Sequence, residues 1–73
     1  MAWHDNVHVD ALWTINEHRN CWAWIDGAWR KFDDTNDDSV INMAILAAHA
    51  KAGGRAVNAR IEGDNRLREI YVW

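Results

Sequence analysis

The chain has 73 residues and a formal charge of −3, which leaves room for one domain, 1–73, and argues against a partner bound through phosphate charge. A core this small supplies only about 3–5 kcal/mol unless it is reinforced by a disulfide, a metal or association. Cys21 is the one cysteine, so no disulfide can form within the chain, and association with further copies becomes the expected reinforcement.

The first ten residues hold no basic stretch followed by an apolar one, and no run in the chain is long enough to span a bilayer. A cytoplasmic protein without a signal peptide is the expectation; export by a route that needs no signal would leave no mark here. The lone thiol fits a reducing compartment.

"VHVDALWTI", residues 7–15, alternates. Val7, Val9, Ala11, Trp13 and Ile15 share one side, with Leu12 the exception, and this period of two predicts a half-buried strand. Trp13 falls in its apolar register and is expected in the core. "NEHRN" reads as a turn. "CWAWI" follows as a strand with Trp22 and Trp24 on one face and Cys21, Ala23 and Ile25 on the other. Asp26-Gly27 suits a two-residue type I′ turn, in which both central residues need positive φ. "AWRKF" is then the returning strand, carrying Trp29.

The acidic "DDTNDDS" leads into a helix, with Thr35, Asp37 or Asp38 as its cap. "SVINMAILAAHAKAGG" is the helix, stopped at Gly53-Gly54. It is apolar nearly all round. Val40, Met43, Ala44 and Ala47 form one stripe, Ile41, Ile45 and Ala48 another. One sheet covers one stripe, so a second partner is implied, and the first stripe is expected at a contact between copies. "RAVNARI" puts Val57, Ala59 and Ile61 on one face of a strand. "RLREIYVW" puts Leu67, Tyr71 and Trp73 on one face of the last, with Ile70 and Val72 on the other. Tyr71 and Trp73 are expected at the same contact between copies.

The order is thus β-β-β-α-β-β, mainly β with one helix. It predicts a small OB-fold-like barrel, with a five-stranded antiparallel sheet carrying the helix as the alternative. The segment "NMAILAAHAKAGGRAVNARIEGDNRLREIYVW" resembles the C-terminal half of the OB-fold B subunits of AB5 toxins, of the pertussis and subtilase-cytotoxin type. Gly54-Arg55 matches the step from helix to strand in that family, and Ile70-Tyr71 the ending of its last strand. The resemblance covers under half of the chain. It implies a barrel, assembly into a ring, most naturally of five copies, and a glycan as ligand. It carries over no glycan-binding residue.

No catalytic motif or cofactor fingerprint is present, and a non-enzyme is expected. His4, His8 and His18, with Asp5 and Asp10, match no metal spacing. Cys21 has His18 three residues before it but no third group to orient a nucleophile. Asp33, Asp34, Asp37 and Asp38 lack the spacing of an EF-hand. Arg55, Arg60, Arg66 and Arg68 suit surface pairing with aspartates or an anionic partner. The signal that stands out is six tryptophans in 73 residues. Trp22, Trp24 and Trp29, beside a tight turn, are candidates for a platform on which the C–H face of a sugar or a nucleobase stacks. The same rings would equally anchor a core or an interface. The expected function is a non-catalytic binding module, assembled from copies of itself and offering aromatic residues to a glycan or a protein. A purely structural assembly protein is the alternative, and a single-stranded nucleic-acid binder is a third reading.

Overall fold

The computed structural model describes residues 2–73. Five strands and one helix follow in the expected order: β1 (Ala2–Thr14), β2 (Cys21–Ile25), β3 (Ala28–Phe32), α1 (Asp37–Gly53), β4 (Ala56–Ile61) and β5 (Arg66–Val72). The strands close into a barrel in the order β1-β2-β3-β5-β4, so the barrel forms and not the flat sheet. Closure between β3 and β5 is parallel and rests on the pairs Lys31–Arg66 and Phe32–Leu67.

Local chemistry accounts for most boundaries. Asp26 and Gly27 have φ of 52° and 84°, the two positive values that a type I′ turn requires. The helix cap is Asn36, not Thr35, Asp37 or Asp38. Its extended backbone turns the side-chain oxygen to accept from Ser39 N–H at 2.8 Å. Asp37 and Asp38 instead occupy the first turn, where their charge opposes the helix dipole. Gly54 ends the helix in the left-handed region, and Arg55 N–H reaches back to Ala50 O at 2.9 Å.

β1 departs from simple alternation. It pairs with β4 through its first half and with β2 through its second. Its register shifts between His4 and Val7, where Asn6 has φ 55°, and again between Val9 and Ala11. Each shift is a bulge, and each moves the following residues to the other face. Val7 and Val9 therefore point inward. Past the second bulge Leu12 lies opposite Ala23 on the inner face, and Trp13 lies opposite Trp22 on the outer. The expected core position of Trp13 is thus corrected: the ring is 46% exposed. A third shift, between the partners of Arg60 and Ile61, sits at Arg68 in β5. It lets Leu67 and Ile70 both point inward and sends Tyr71 out, so Leu67 and Tyr71 do not share a face.

The interior is filled by modest side chains. Val9, Ala23, Ile25, Phe32, Val57, Ala59, Ile61, Leu67 and Ile70 come from the strands, and Met43, Ala47 and Ala50 from α1. Val40 and Ala44 pack against the same cluster. The stripe Val40, Met43, Ala44, Ala47 is therefore the face that α1 turns to the barrel, and its assignment to a contact between copies is corrected. Small residues at 44, 47 and 50 let the helix lie close over the barrel end. The second stripe faces away: Ile41 and Ile45 are 55% and 53% exposed. No helix among the described residues is long and apolar enough to cross a membrane.

Candidate functional site

The outer face of β1, β2 and β3 gathers four tryptophans. In paired strands, residues directly opposite point to the same side. Trp13 faces Trp22, Ala11 faces Trp24, Trp24 faces Trp29 and Trp22 faces Lys31, all on the outside. Ala23, Ile25 and Cys21 take the inner side of β2, as their alternation with Trp22 and Trp24 predicts. The tryptophans cannot go inward, because an interior lined by Ala23 and Ala59 has no room for an indole.

The rings fix one another. Trp24 and Trp29 meet edge to face, with centroids 5.5 Å apart and planes at 89°, a favourable arrangement for aromatic quadrupoles. Trp22 donates its indole N–H to Asn20 Oδ1 at 2.6 Å, and Lys31 Nζ lies 5.9 Å from its ring centroid. Asp34 holds that ammonium at 3.2 Å. Trp13, Trp22 and Trp29 line an open groove of about 400 Å³. Trp22 and Trp24 are half-buried by their neighbours, while Trp29 and Trp13 present 39% and 46% of their surface. The sequence pattern offers Trp22, Trp24 and Trp29 for an outer face, whereas simple alternation assigns Trp13 to the core. Leu12, the one apolar residue out of step in its stretch, was the signal that the register changes there.

A second aromatic row lies on β1 and β5. Trp3 stacks on Tyr71 with centroids 5.6 Å apart and planes at 19°, and Tyr71 meets Trp73 at 6.3 Å. Tyr71 and Trp73 are open to solvent, and Trp3 joins them in this row.

The remaining candidates are dispersed. His4 Nδ1 meets Asp26 at 2.6 Å at the turn end of the barrel, while His18 lies 3.3 Å from Asp37 beside the helix start. His4 and His8, four residues apart in β1, are separated by the Asn6 bulge and take opposite faces. Among the described residues no three metal-ligating side chains come together. Burial pushes the Cys21 thiol up from its usual range, with the Thr14 hydroxyl and Trp22 backbone pulling weakly the other way, so the thiol stays protonated and a poor nucleophile. The arginines pair within the chain: Arg66 with Asp34 at 2.8 Å, Arg68 with Asp64 at 2.8 Å and Arg60 with Glu69 at 2.9 Å. What this surface offers chemically is stacking, with a single tethered cation at its margin.

Comparison with protein-family models, with curated proteins and with solved structures found no match to this chain.

Proposed function

We propose that this chain is a non-catalytic binding module, working as a symmetric homo-oligomer, that offers the tryptophan face of β1, β2 and β3 to a ligand. The observation that carries this reading is the outward register of Trp13, Trp22, Trp24 and Trp29 on three adjacent strands. The buried core of the barrel contains none of them, and a row of indoles out of the core is costly to leave open unless something covers it. A glycan is the ligand class to test first. Indole faces accept the C–H face of a pyranose, an open groove suits a chain-like ligand, and the resemblance to toxin B subunits implies the same class. A ring of five copies is the assembly that resemblance implies.

Titrating neutral and acidic oligosaccharides while recording tryptophan emission tests the reading. Saturable change that is lost in Trp29→Ala, with far-UV circular dichroism preserved, is the expected result. Saturation by a single-stranded oligonucleotide instead, or by nothing, sinks the glycan assignment.

One observation favours the purely structural alternative. Ten large apolar side chains are exposed among the described residues, and eight of them spread over the tryptophan face, the Trp3–Tyr71–Trp73 row and the outside of α1. A ligand covers one face. If all six tryptophans were shielded from an aqueous quencher in the assembled state, the indoles would belong to interfaces and the binding role would fall.

A further inference from the structure

The outside of α1 is the apolar surface with the most regular pattern. Ile41, Ile45, Ala48 and Ala52 recur at intervals of four, three and four residues, the spacing of a seam between two helices. All four are exposed, and they lie on the side of the helix opposite Met43, Ala47 and Ala50, which face the barrel. Among the described residues no further element covers this seam.

We infer that a second copy of this chain covers it, with the two α1 helices antiparallel about a two-fold axis. The inference rests on the homo-oligomeric part of the proposed function and replaces a ring contact through α1 with an isologous one. Two features of the seam select this arrangement. The first is size. The N-terminal half carries Ile41 and Ile45, the C-terminal half Ala48 and Ala52. In a parallel pair, isoleucine would meet isoleucine and alanine would meet alanine, leaving the small end unfilled. Reversing one helix sets Ile45 against Ala48 and Ile41 against Ala52, twice over by symmetry, so bulk fills space along the whole seam.

The second feature is charge. Asp38 lies at the N-terminal end of the helix and Lys51 in its last turn. Neither has an ion-pair partner among the described residues, although Asp33, Asp34, Asp37 and Asp64 all do; Arg55, just beyond the helix, already donates to Trp73 O. An antiparallel pair brings the acidic end of each helix beside the basic end of the other and opposes the two helix dipoles. A parallel pair stacks like charge on like.

Two measurements on the full chain test this. Sedimentation equilibrium should give a dimer, or an even multiple of it, and Ile45→Glu should weaken it by at least about tenfold while far-UV circular dichroism stays unchanged, since Ile45 lies outside the core. The orientation is read by oxidation in a Cys21→Ser background. Ile41→Cys and Ala52→Cys chains should cross-link when mixed and not singly, because an antiparallel seam holds two copies of residue 41 about 16 Å apart. Cross-linking of Ile41→Cys alone would overturn the inference in favour of parallel helices. A mass of five copies, unaffected by Ile45→Glu, would overturn the two-fold pair and leave the proposed binding module standing. A monomer would overturn both assembly claims, while the oligosaccharide titration would still judge the tryptophan face separately.

Discussion

β1 and β2 carry the same signal, a run of alternating apolar residues, and the barrel treats them differently. β2 is five residues long, pairs with β3 without interruption, and carries no extra residue of its own, the shift in its ladder with β1 falling on β1. Its alternation maps directly onto the structure: Ala23 and Ile25 go in, Trp22 and Trp24 go out. β1 is thirteen residues long and must serve β4 with one half and β2 with the other, bending as it crosses. It does so through two bulges, and each reverses the facing that alternation assigns. The odd-numbered positions from Trp3 to Trp13 are therefore outward at both ends and inward at Val7 and Val9. Period-two patterning decides which residues share a face only as long as the ladder is unbroken.

The sharpest way to break this contrast is to delete Asp10. The deletion removes the extra residue of the second bulge and joins Val9, opposite Ile25, directly to Ala11, opposite Trp24, so Leu12 stays inward and Trp13 outward while the bend is lost. A large drop in melting temperature with Trp13 still open to an aqueous quencher is the expected outcome. A deletion variant with wild-type stability would show that β1 does not need the bulge to bend between its two neighbours.

The inner and outer faces should then differ in size of effect. Phe32 is fully buried, and Phe32→Ala should cost about 3–5 kcal/mol, enough to unfold a domain this small. Trp13→Ala or Trp22→Ala should cost no more than about 1 kcal/mol, measured by urea denaturation of the same preparation. Equal costs would mean that the barrel has been described inside out.

A smaller effect is expected at the turn that keeps β2 in step with β3. Gly27 has φ 84°, and a side chain built there meets nothing within 4 Å. Gly27→Val should therefore act through backbone strain alone, at about 1–2 kcal/mol, while Gly27→Asn, which tolerates positive φ, should cost visibly less. Similar melting temperatures for the two variants would rule out strain as the cause.

The smallest effect concerns the narrow closure between β3 and β5. Lys31 first, and then Arg66, hold the Asp34 carboxyl below the usual range. Arg19 does the same for Asp37 and Arg68 for Asp64. A carboxyl with a lowered folded-state pKa adds stability that is complete above its unfolded value, about 4, and is lost as pH falls through the folded one. Stability should thus be insensitive to these groups at neutral pH and decline on acidification below about pH 4. Asp34→Asn should flatten part of that decline, and added salt should shrink it further, since these pairs are exposed. An unchanged acid limb in the variant would remove Asp34 from the closure.

Some of this protein was decided by neighbouring residues and is legible in the chain itself. The Asp26-Gly27 turn, the ends of α1, the facing of β2 and β4 and the order of elements all follow from interactions within a few positions: positive φ at a turn, a cap on a helix end, a pleat that alternates. Three features were decided only by closure of the barrel. The bulges in β1 exist because one strand must bend to pair with two neighbours, and the sequence marks them with no more than Leu12 out of step. Asn36 caps the helix, although Thr35, Asp37 and Asp38 beside it are equally able to, because the chain leaving β3 is extended at that residue. The stripe of α1 that faces inward is the third. Both stripes are apolar, so hydrophobicity does not choose between them. Volume does: Ala44, Ala47 and Ala50 let the helix approach the barrel, and Ile41 and Ile45 are left for whatever packs from outside.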